Sequence, residues 1–190
     1  PWEDGPPFRP DTAHDPPAAP SSHRKALAMK RAPWWKGQRG EGYVAMQGLL
    51  FGLLIFGPTG EGTLPPWPAP LAGPAKAFGL ALLVAGLVCA VAAAIGLGRN
   101  LTPLPHPRDN CELVESGLYG WVRHPIYCGL ICAGFGWAFF VQGWLALAWA
   151  CLLFAFFDLK SRREEVWLLA RFPAYADYRR RVRKLIPLIY

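Results

Sequence analysis

Charge is what this sequence has least of. Only 17% of its 190 residues are Asp, Glu, Lys or Arg, fewer than the usual quarter, and the shortage is concentrated. No charged side chain occurs from Gly42 to Gly60, from Ala77 to Gly98, or from Pro125 to Phe157. Windows of roughly 20 uncharged, mostly apolar residues are the length a helix needs to cross the hydrocarbon core of a bilayer. Three of them in one short chain exclude an ordinary soluble domain and imply an integral membrane protein. Cysteine is also sparse. The five, at positions 89, 111, 128, 132 and 151, form no C-x-x-C pair and sit in no His cluster, so neither a disulfide framework nor a metal centre is expected. Four of them fall inside the apolar windows, where a small polarizable side chain packs well.

The third window, 33 residues from Pro125 to Phe157, is too long for one crossing and long enough for two short ones. Gln142 and Gly143 lie at its middle among Phe139, Phe140 and Trp144, which reads as a hairpin tip. Each arm of about 16 residues spans ~24 Å, so local thinning or interfacial tryptophan anchoring is expected rather than tilt. The expected fold is therefore all-α and membrane-integral. It has about four transmembrane helices, near 43–59, 76–98, 125–141 and 143–158, followed by cytoplasmic amphipathic C-terminal helices. Loop charge agrees with this count. Lys and Arg number seven before Tyr43, one (Lys76) between the first two spans, three between the second and third, and nine after Phe157. The positive-inside rule then puts both basic ends in the cytoplasm. The net charge of +7 is read as a rim facing anionic lipid, with no nucleic-acid partner implied. Arg outnumbers Lys fourteen to six, with abundant Ala, Gly and Pro, a composition that points to a bacterial inner membrane.

Along the chain, residues 1–22 are proline-rich with few aliphatics and are expected to be flexible. No signal-peptide pattern is expected ahead of the first span. Residues 23–42 mix bases with Trp34 and Trp35, as an interfacial segment does. Residues 43–98 hold the first two spans. The second is dense in Gly and Ala, which let helix backbones approach closely in lipid, and Gly79, Gly86 and Ala90 are placed in that seam. Residues 99–190 are the candidate catalytic region, ending in a basic amphipathic stretch from Val166 to Lys184 that suits a membrane surface.

The chemistry gathers at "GLYGWVRHPIYCG", residues 117–129. Pro125 is well placed as a first helical residue, so Arg123 and His124 stand at a helix N-terminus, where free N–H groups attract an anion. Arg adds a fork for carboxylate or phosphate, and Tyr119 and Tyr127 can bracket a ligand. The plainer reading has Arg123 snorkelling to lipid phosphate and His124 capping the helix. Beyond the hairpin, Glu164 and Glu165 lie among Lys160, Arg162 and Arg163. Here the plainer reading is a set of solvated ion pairs. The functional one turns a single carboxylate inward, since adjacent helical positions point about 100° apart; spacing does not say which. An anion site and a carboxylate together suit a zwitterionic amino-acid group on a cationic reagent, a description that S-adenosylmethionine fits.

The ordered set "SGLYGWVRHPIYCG", an apolar hairpin and "EEVWLLARFPAYADYRRRV" resembles the isoprenylcysteine carboxyl methyltransferase and phospholipid methyltransferase superfamily of integral membrane enzymes, over about residues 96–187. The resemblance implies S-adenosyl-L-methionine as cofactor and a lipid or lipidated acceptor, in the membrane and without a metal. It implies cofactor contacts from Tyr119, His124, Pro125, Ile126, Tyr127 and Glu164, and from the backbone of Cys111, Glu112, Leu113 and Val114, whose "CELV" shares only the Leu-Val ending with the family's pattern. It places Lys160 on the substrate side. Arg123 and Glu165 are the candidate catalytic groups, Glu165 as the base an amine acceptor would need; a carboxylate acceptor would need none. No G-x-G-x-x-G follows a strand pattern, so a soluble Rossmann-type enzyme is not implied. Two other readings are a sterol-reductase-like enzyme using NADPH and a non-catalytic membrane protein that recruits partners through its basic tail. The sequence sets no oligomeric state.

Overall fold

The computed structural model describes residues 40–102, 104 and 111–190. The segment 1–22 and nearly all of 23–42 lie outside these residues. Among the described residues five α-helices follow one another: α1 (Glu41–Phe56), α2 (Ala69–Leu97), α3 (Pro125–Val141), α4 (Trp144–Arg171) and α5 (Tyr175–Arg181). Two short 3-10 turns, Gly98–Asn100 and Gly117–Gly120, bound the loop between α2 and α3. Among the described residues, strand-like pairing is confined to one parallel bridge between Val122 and Arg183.

The expected spans correspond to α1 through α4, with shifted ends. The α3 helix runs over the predicted residues, with Pro125 at its first position. The α1 helix stops at Phe56, short of residue 59, because Gly57 turns to extended backbone and Pro58 comes next. The α2 helix starts at Ala69, well before residue 76, so Lys76 lies within it. One lysine near a helix end costs little, since its long stem carries the charge outward. The α4 helix does not stop at residue 158 but continues to Arg171. Its first half is the apolar window; its second half carries Lys160, Glu164 and Glu165 beyond it. Phe172 then leaves the helix, as the residue before a proline tends to, and this break divides the basic amphipathic stretch between the end of α4 and the short α5. The α2 and α4 helices are long and apolar enough to cross a membrane, and α1 and α3 are shorter apolar helices of 16 and 17 residues.

The helices alternate in direction, and hydrogen bonds pin their turns together at one end. Leu145 N–H donates to Thr59 O (3.1 Å), and the Trp144 and Trp149 indoles donate to Pro65 O (2.9 Å) and Pro58 O (3.3 Å). The hairpin tip needs two special residues. Gln142 takes the left-handed conformation (φ 55°) that closes α3. Gly143 passes so near Thr59 O that a Cβ would lie 2.8 Å from it. The opposite end of the bundle is left to the loop before α3, the second half of α4, and α5.

The closest helix contact joins α2 to α3. Gly79, Gly86, Ala90 and Ala93 are the buried residues of α2, spaced along one face. A Cβ on Gly86 would stand 2.5 Å from both Gly129 O and Ala133 N, and one on Gly129 would stand 2.6 Å from Gly86 O and Ala90 N. The backbones touch, which is the packing that small residues permit where lipid offers no hydrophobic contrast. The other face of α2 is large and apolar, with Val88 62%, Val91 58% and Ile95 74% exposed. A water-soluble helix has the reverse arrangement. On the other side of α3, Leu50 and Leu54 of α1 and Leu153 and Phe157 of α4 form the buried core with Ile131.

Substituting Gly86→Val forces these backbones apart, an overpacking that costs about 1–3 kcal/mol or more. Thermal unfolding of the detergent-purified protein should fall clearly for Gly86→Val and stay near wild type for Gly96→Val, where a Cβ meets nothing within 4 Å.

Candidate active site

The site is assembled by a loop that folds back on the end of the chain. Gly117, in the left-handed region at φ 61°, opens the turn that carries Tyr119 inward. The Tyr119 hydroxyl donates to Ala93 O (3.3 Å), and Tyr178 donates to Tyr119 O (2.6 Å). Arg123 N–H then donates to Arg183 O (2.8 Å) and His124 N–H to Lys184 O (3.1 Å), strapping the loop to the segment after α5. His124 is the N-cap of α3 but makes no side-chain cap bond. Its imidazole, like the Arg123 guanidinium, turns toward α4.

Five ionisable side chains meet there. Arg123 Nε and Nη2 lie 2.9 and 2.8 Å from Glu165 Oε1. His124 Nε2 is 3.3 Å from the same oxygen, and its Nδ1 is 3.4 Å from Glu164 Oε2. Tyr127 donates its hydroxyl to Glu164 Oε1. Arg179 Nε completes the group, 3.5 Å from Glu165 Oε2. Arg123 Nη1 also donates to the carbonyls of Arg179 and Val182, so one guanidinium ties α4, α5 and the loop together. The snorkelling and solvated-pair readings do not describe these groups: Arg123, His124 and Glu165 side chains are each at most 8% exposed.

The adjacent glutamates part company. Glu164 faces a cavity of about 370 Å³, while Glu165 faces away from it into Arg123 and Arg179. That cavity brings together Cys111, Glu112, Leu113, Val114, Tyr119, Arg123, His124, Ile126, Tyr127, Lys160 and Glu164. Pro125 is buried beneath the wall and does not line it. Glu165, expected as a catalytic base, does not reach it either, because the helix phase that turns Glu164 in turns its neighbour out.

Several wall residues were not read from the sequence. Asn100 holds both backbone groups of Glu112: its Nδ2 donates to Glu112 O (3.0 Å), and its Oδ1 accepts from Glu112 N–H (3.2 Å). Gln47 reaches in from α1 and accepts from Lys160 Nζ at 2.7 Å. Lys160 is 1% exposed and sits 5.2 Å over the Tyr127 ring. Tyr175, Tyr178 and Phe172 close one side, and Leu97, Leu101, Leu104, Leu130 and Leu168 make much of the rest apolar. Gln47 was a visible signal in hindsight, as the one amide in the first charge-free window.

Burial and charge set the protonation states. Burial alone would raise the Glu165 carboxyl, but His124 and then Arg123 hold it down at about 2. Burial alone would lower His124, but its contacts with Glu164 and Glu165 outweigh this and raise it above its ordinary 6.5. Burial pushes the Lys160 ammonium below the usual lysine range, with Glu164 opposing. Both shifts at the ion cluster make stability depend on pH. A raised histidine contributes stability that is complete below 6.5 and is lost as pH climbs through the folded-state value. A depressed glutamate contributes stability present above about 4.5 and lost as pH falls toward 2. Thermal unfolding of the wild type should therefore weaken on the alkaline side of pH 6.5, and His124→Gln should flatten that slope while leaving the acid-side loss in place.

Comparison with known proteins places this geometry. A family model described as phospholipid methyltransferase matches residues 74–174. The chain is 32% identical to protein-S-isoprenylcysteine O-methyltransferase of Mus musculus, over 60% of this chain and 42% of that protein. It is 29% identical to the Schizosaccharomyces pombe protein of that name, over 58% and 48%, and 31% identical to form A from Arabidopsis thaliana, over 59% of each. The matched region is thus about half the length of these curated relatives. In fold it is similar to the eukaryotic intramembrane Ras methyltransferase ICMT (isoprenylcysteine carboxyl methyltransferase), solved without a monobody. The TM-score is 0.56 at 22% identity, over 87% of this chain and 56% of that one. With more than half of its residues inside the matched region, the chain belongs to the phospholipid methyltransferase family.

Proposed function

We propose that this chain is an integral membrane methyltransferase that moves a methyl group from S-adenosylmethionine to a lipophilic acceptor bearing a carboxylate. The observation that carries the reading is Glu164, turned into an apolar-walled cavity where Tyr127 and His124 hold it and Lys160 faces the same space. A volume of about 370 Å³ falls within the range of small-molecule and cofactor sites, roughly 300–1,000 Å³.

The residues present fit that cofactor. When bound, S-adenosylmethionine supplies an electrophilic methyl group on a positively charged sulfur. Glu164 offers the complementary negative charge, fixed in place by its two partners. The backbone from Cys111 to Val114, held in register by Asn100, presents N–H and C=O groups that can read the polar edges of a nucleoside. The leucines and Tyr119 exclude water, and the rigid wall supplies alignment, the main contribution an enzyme makes to such a transfer. Lys160, steadied by Gln47, is placed to meet an anionic oxygen of the acceptor. A carboxylate needs no deprotonation before it reacts, and Glu165, the base an amine would call for, is committed to Arg123 and Arg179. The relatives compared with this chain are O-methyltransferases, in keeping with an oxygen acceptor.

In this reading α1 to α4 are four antiparallel crossings. The site end, where the basic residues cluster, faces the cytoplasm by the positive-inside rule, and both ends of the chain lie on that side. The composition suits a bacterial inner membrane. The cofactor enters from water and the acceptor from lipid.

Isothermal titration with S-adenosylhomocysteine should give binding in the micromolar range, weakened about tenfold or more in Glu164→Gln, as the loss of a charged hydrogen-bonding partner implies. Binding of NADPH in its place would overturn the assignment. In a radiolabelled transfer assay, a prenylcysteine analogue should accept the methyl and phosphatidylethanolamine should not. Gln47→Leu should raise the KM for that acceptor several-fold while leaving S-adenosylhomocysteine affinity unchanged.

A further inference from the structure

A second cavity, of about 400 Å³, lies behind the first, where α4, α5 and the segment after α5 meet. Its chemistry is different. Five cations line it, Arg123, Arg162, Arg179, Arg183 and Lys184, against the single carboxylate Glu165. The inner wall is neutralised: Arg123 is taken by Glu165, and the buried Lys184 donates to Asp158 Oδ1 (2.6 Å) and O (3.0 Å). The rim is not. Arg162 is 64% and Arg179 52% exposed, each tied to a carboxylate that already serves a buried cation, Asp158 for Arg162 and Glu165 for Arg179. Arg183 is exposed, and among the described residues its side chain has no ion pair.

Depth distinguishes this cleft from a generic basic surface. The charge-free part of α4 ends at Phe157, so Arg162 stands five residues further along, about 7–8 Å at the helical rise. The headgroup layer on each side of a hydrocarbon core is roughly 5–8 Å thick. With Phe157 at the edge of the hydrocarbon core, Arg162 is level with lipid phosphates. Beside it Leu188 and Ile189 are 84% and 76% exposed, and Ile189 lines the cleft. Planar guanidinium forks match phosphate oxygens in pairs, and exposed branched aliphatics beside them suit the first carbons of an acyl chain.

We propose that this cleft is a binding site for the phosphate of an anionic phospholipid headgroup, gripped by Arg162, Arg179 and Arg183 with Ile189 against the lipid's glycerol and chain. The site stands apart from the methyl-transfer reading, since none of these four residues lines the cofactor cavity.

The test uses the full chain in neutral detergent, without cofactor or its product, titrated calorimetrically with water-soluble short-chain phosphatidylglycerol, short-chain phosphatidylcholine or inorganic phosphate. Phosphatidylglycerol should bind about tenfold or more tighter than either of the others, the margin expected of charge-assisted bidentate contacts. Arg162→Gln combined with Arg183→Gln should abolish that preference, and Arg183→Lys alone should retain part of it. Equal binding of phosphatidylcholine, equal binding of inorganic phosphate, or an unchanged preference in the double variant would each overturn the proposal. Thermal unfolding without lipid shows whether the double variant is folded; should it not be, the wild-type comparison of the three ligands and the single Arg183→Gln variant decide the matter.

Discussion

Everything at the working end of this protein hangs on a buried carboxylate, Glu165, and the arginine that meets it. Arg123 belongs to the loop before α3 and Glu165 to the far half of α4. The carbonyls of Arg179 and Val182, which share the same guanidinium, belong to α5 and its C-terminal edge. Three stretches distant in the chain are thereby drawn to one point. A buried ion pair is seldom a large source of stability, because desolvation offsets most of the attraction. Its value here is positional. With Glu165 anchored, the phase of α4 is set, and Glu164, about 100° around the helix, is left pointing into the cavity with His124 bridging the two.

The apolar half of the molecule obeys a different rule. Lipid gives little reason for one greasy helix to prefer another, so contact is decided by how closely backbones can come. The glycines and alanines of α2 and α3 provide that closeness at Gly86 and Gly129, while the bulky side chains of α2 are turned outward. This rigid pair carries Pro125 and the loop before it, so Tyr119 and His124 stand on a platform rather than on a tether.

How much of this was legible in the sequence depends on whether a feature is local. The start of α3 at Pro125 was readable, because a proline after a polar loop is a signal complete in itself. So was one side of the seam, Gly79, Gly86 and Ala90. Its partners Gly129 and Gly136, the latter facing Gly79 O at 2.8 Å from where a Cβ would stand, were not singled out, since a seam is a relation between two helices and sequence shows one at a time. Charge marks where an apolar span ends, not where a helix does: Lys76 sits inside α2, and α4 runs straight through Asp158 and Lys160. The motif around Arg123 and His124 marked the cavity, yet the choice between Glu164 and Glu165 awaited a helix phase that no spacing contains. Gln47 was missed for a related reason, being an isolated amide whose partner Lys160 lies far along the chain, and Asn100 because the turn of a loop, not a spacing, sets it beside Glu112.

The clasp between Asn100 and Glu112 has a consequence for how this wall can evolve. One side-chain amide satisfies the N–H and the C=O of a single residue, as a neighbouring strand would. A residue held by its main chain is indifferent to what its side chain is. Substitutions can therefore accumulate at position 112 while the geometry persists, so long as the amide at position 100 does, whereas the neighbouring Leu113, packed by its side chain against Tyr175, Tyr178 and Val182, has no such freedom.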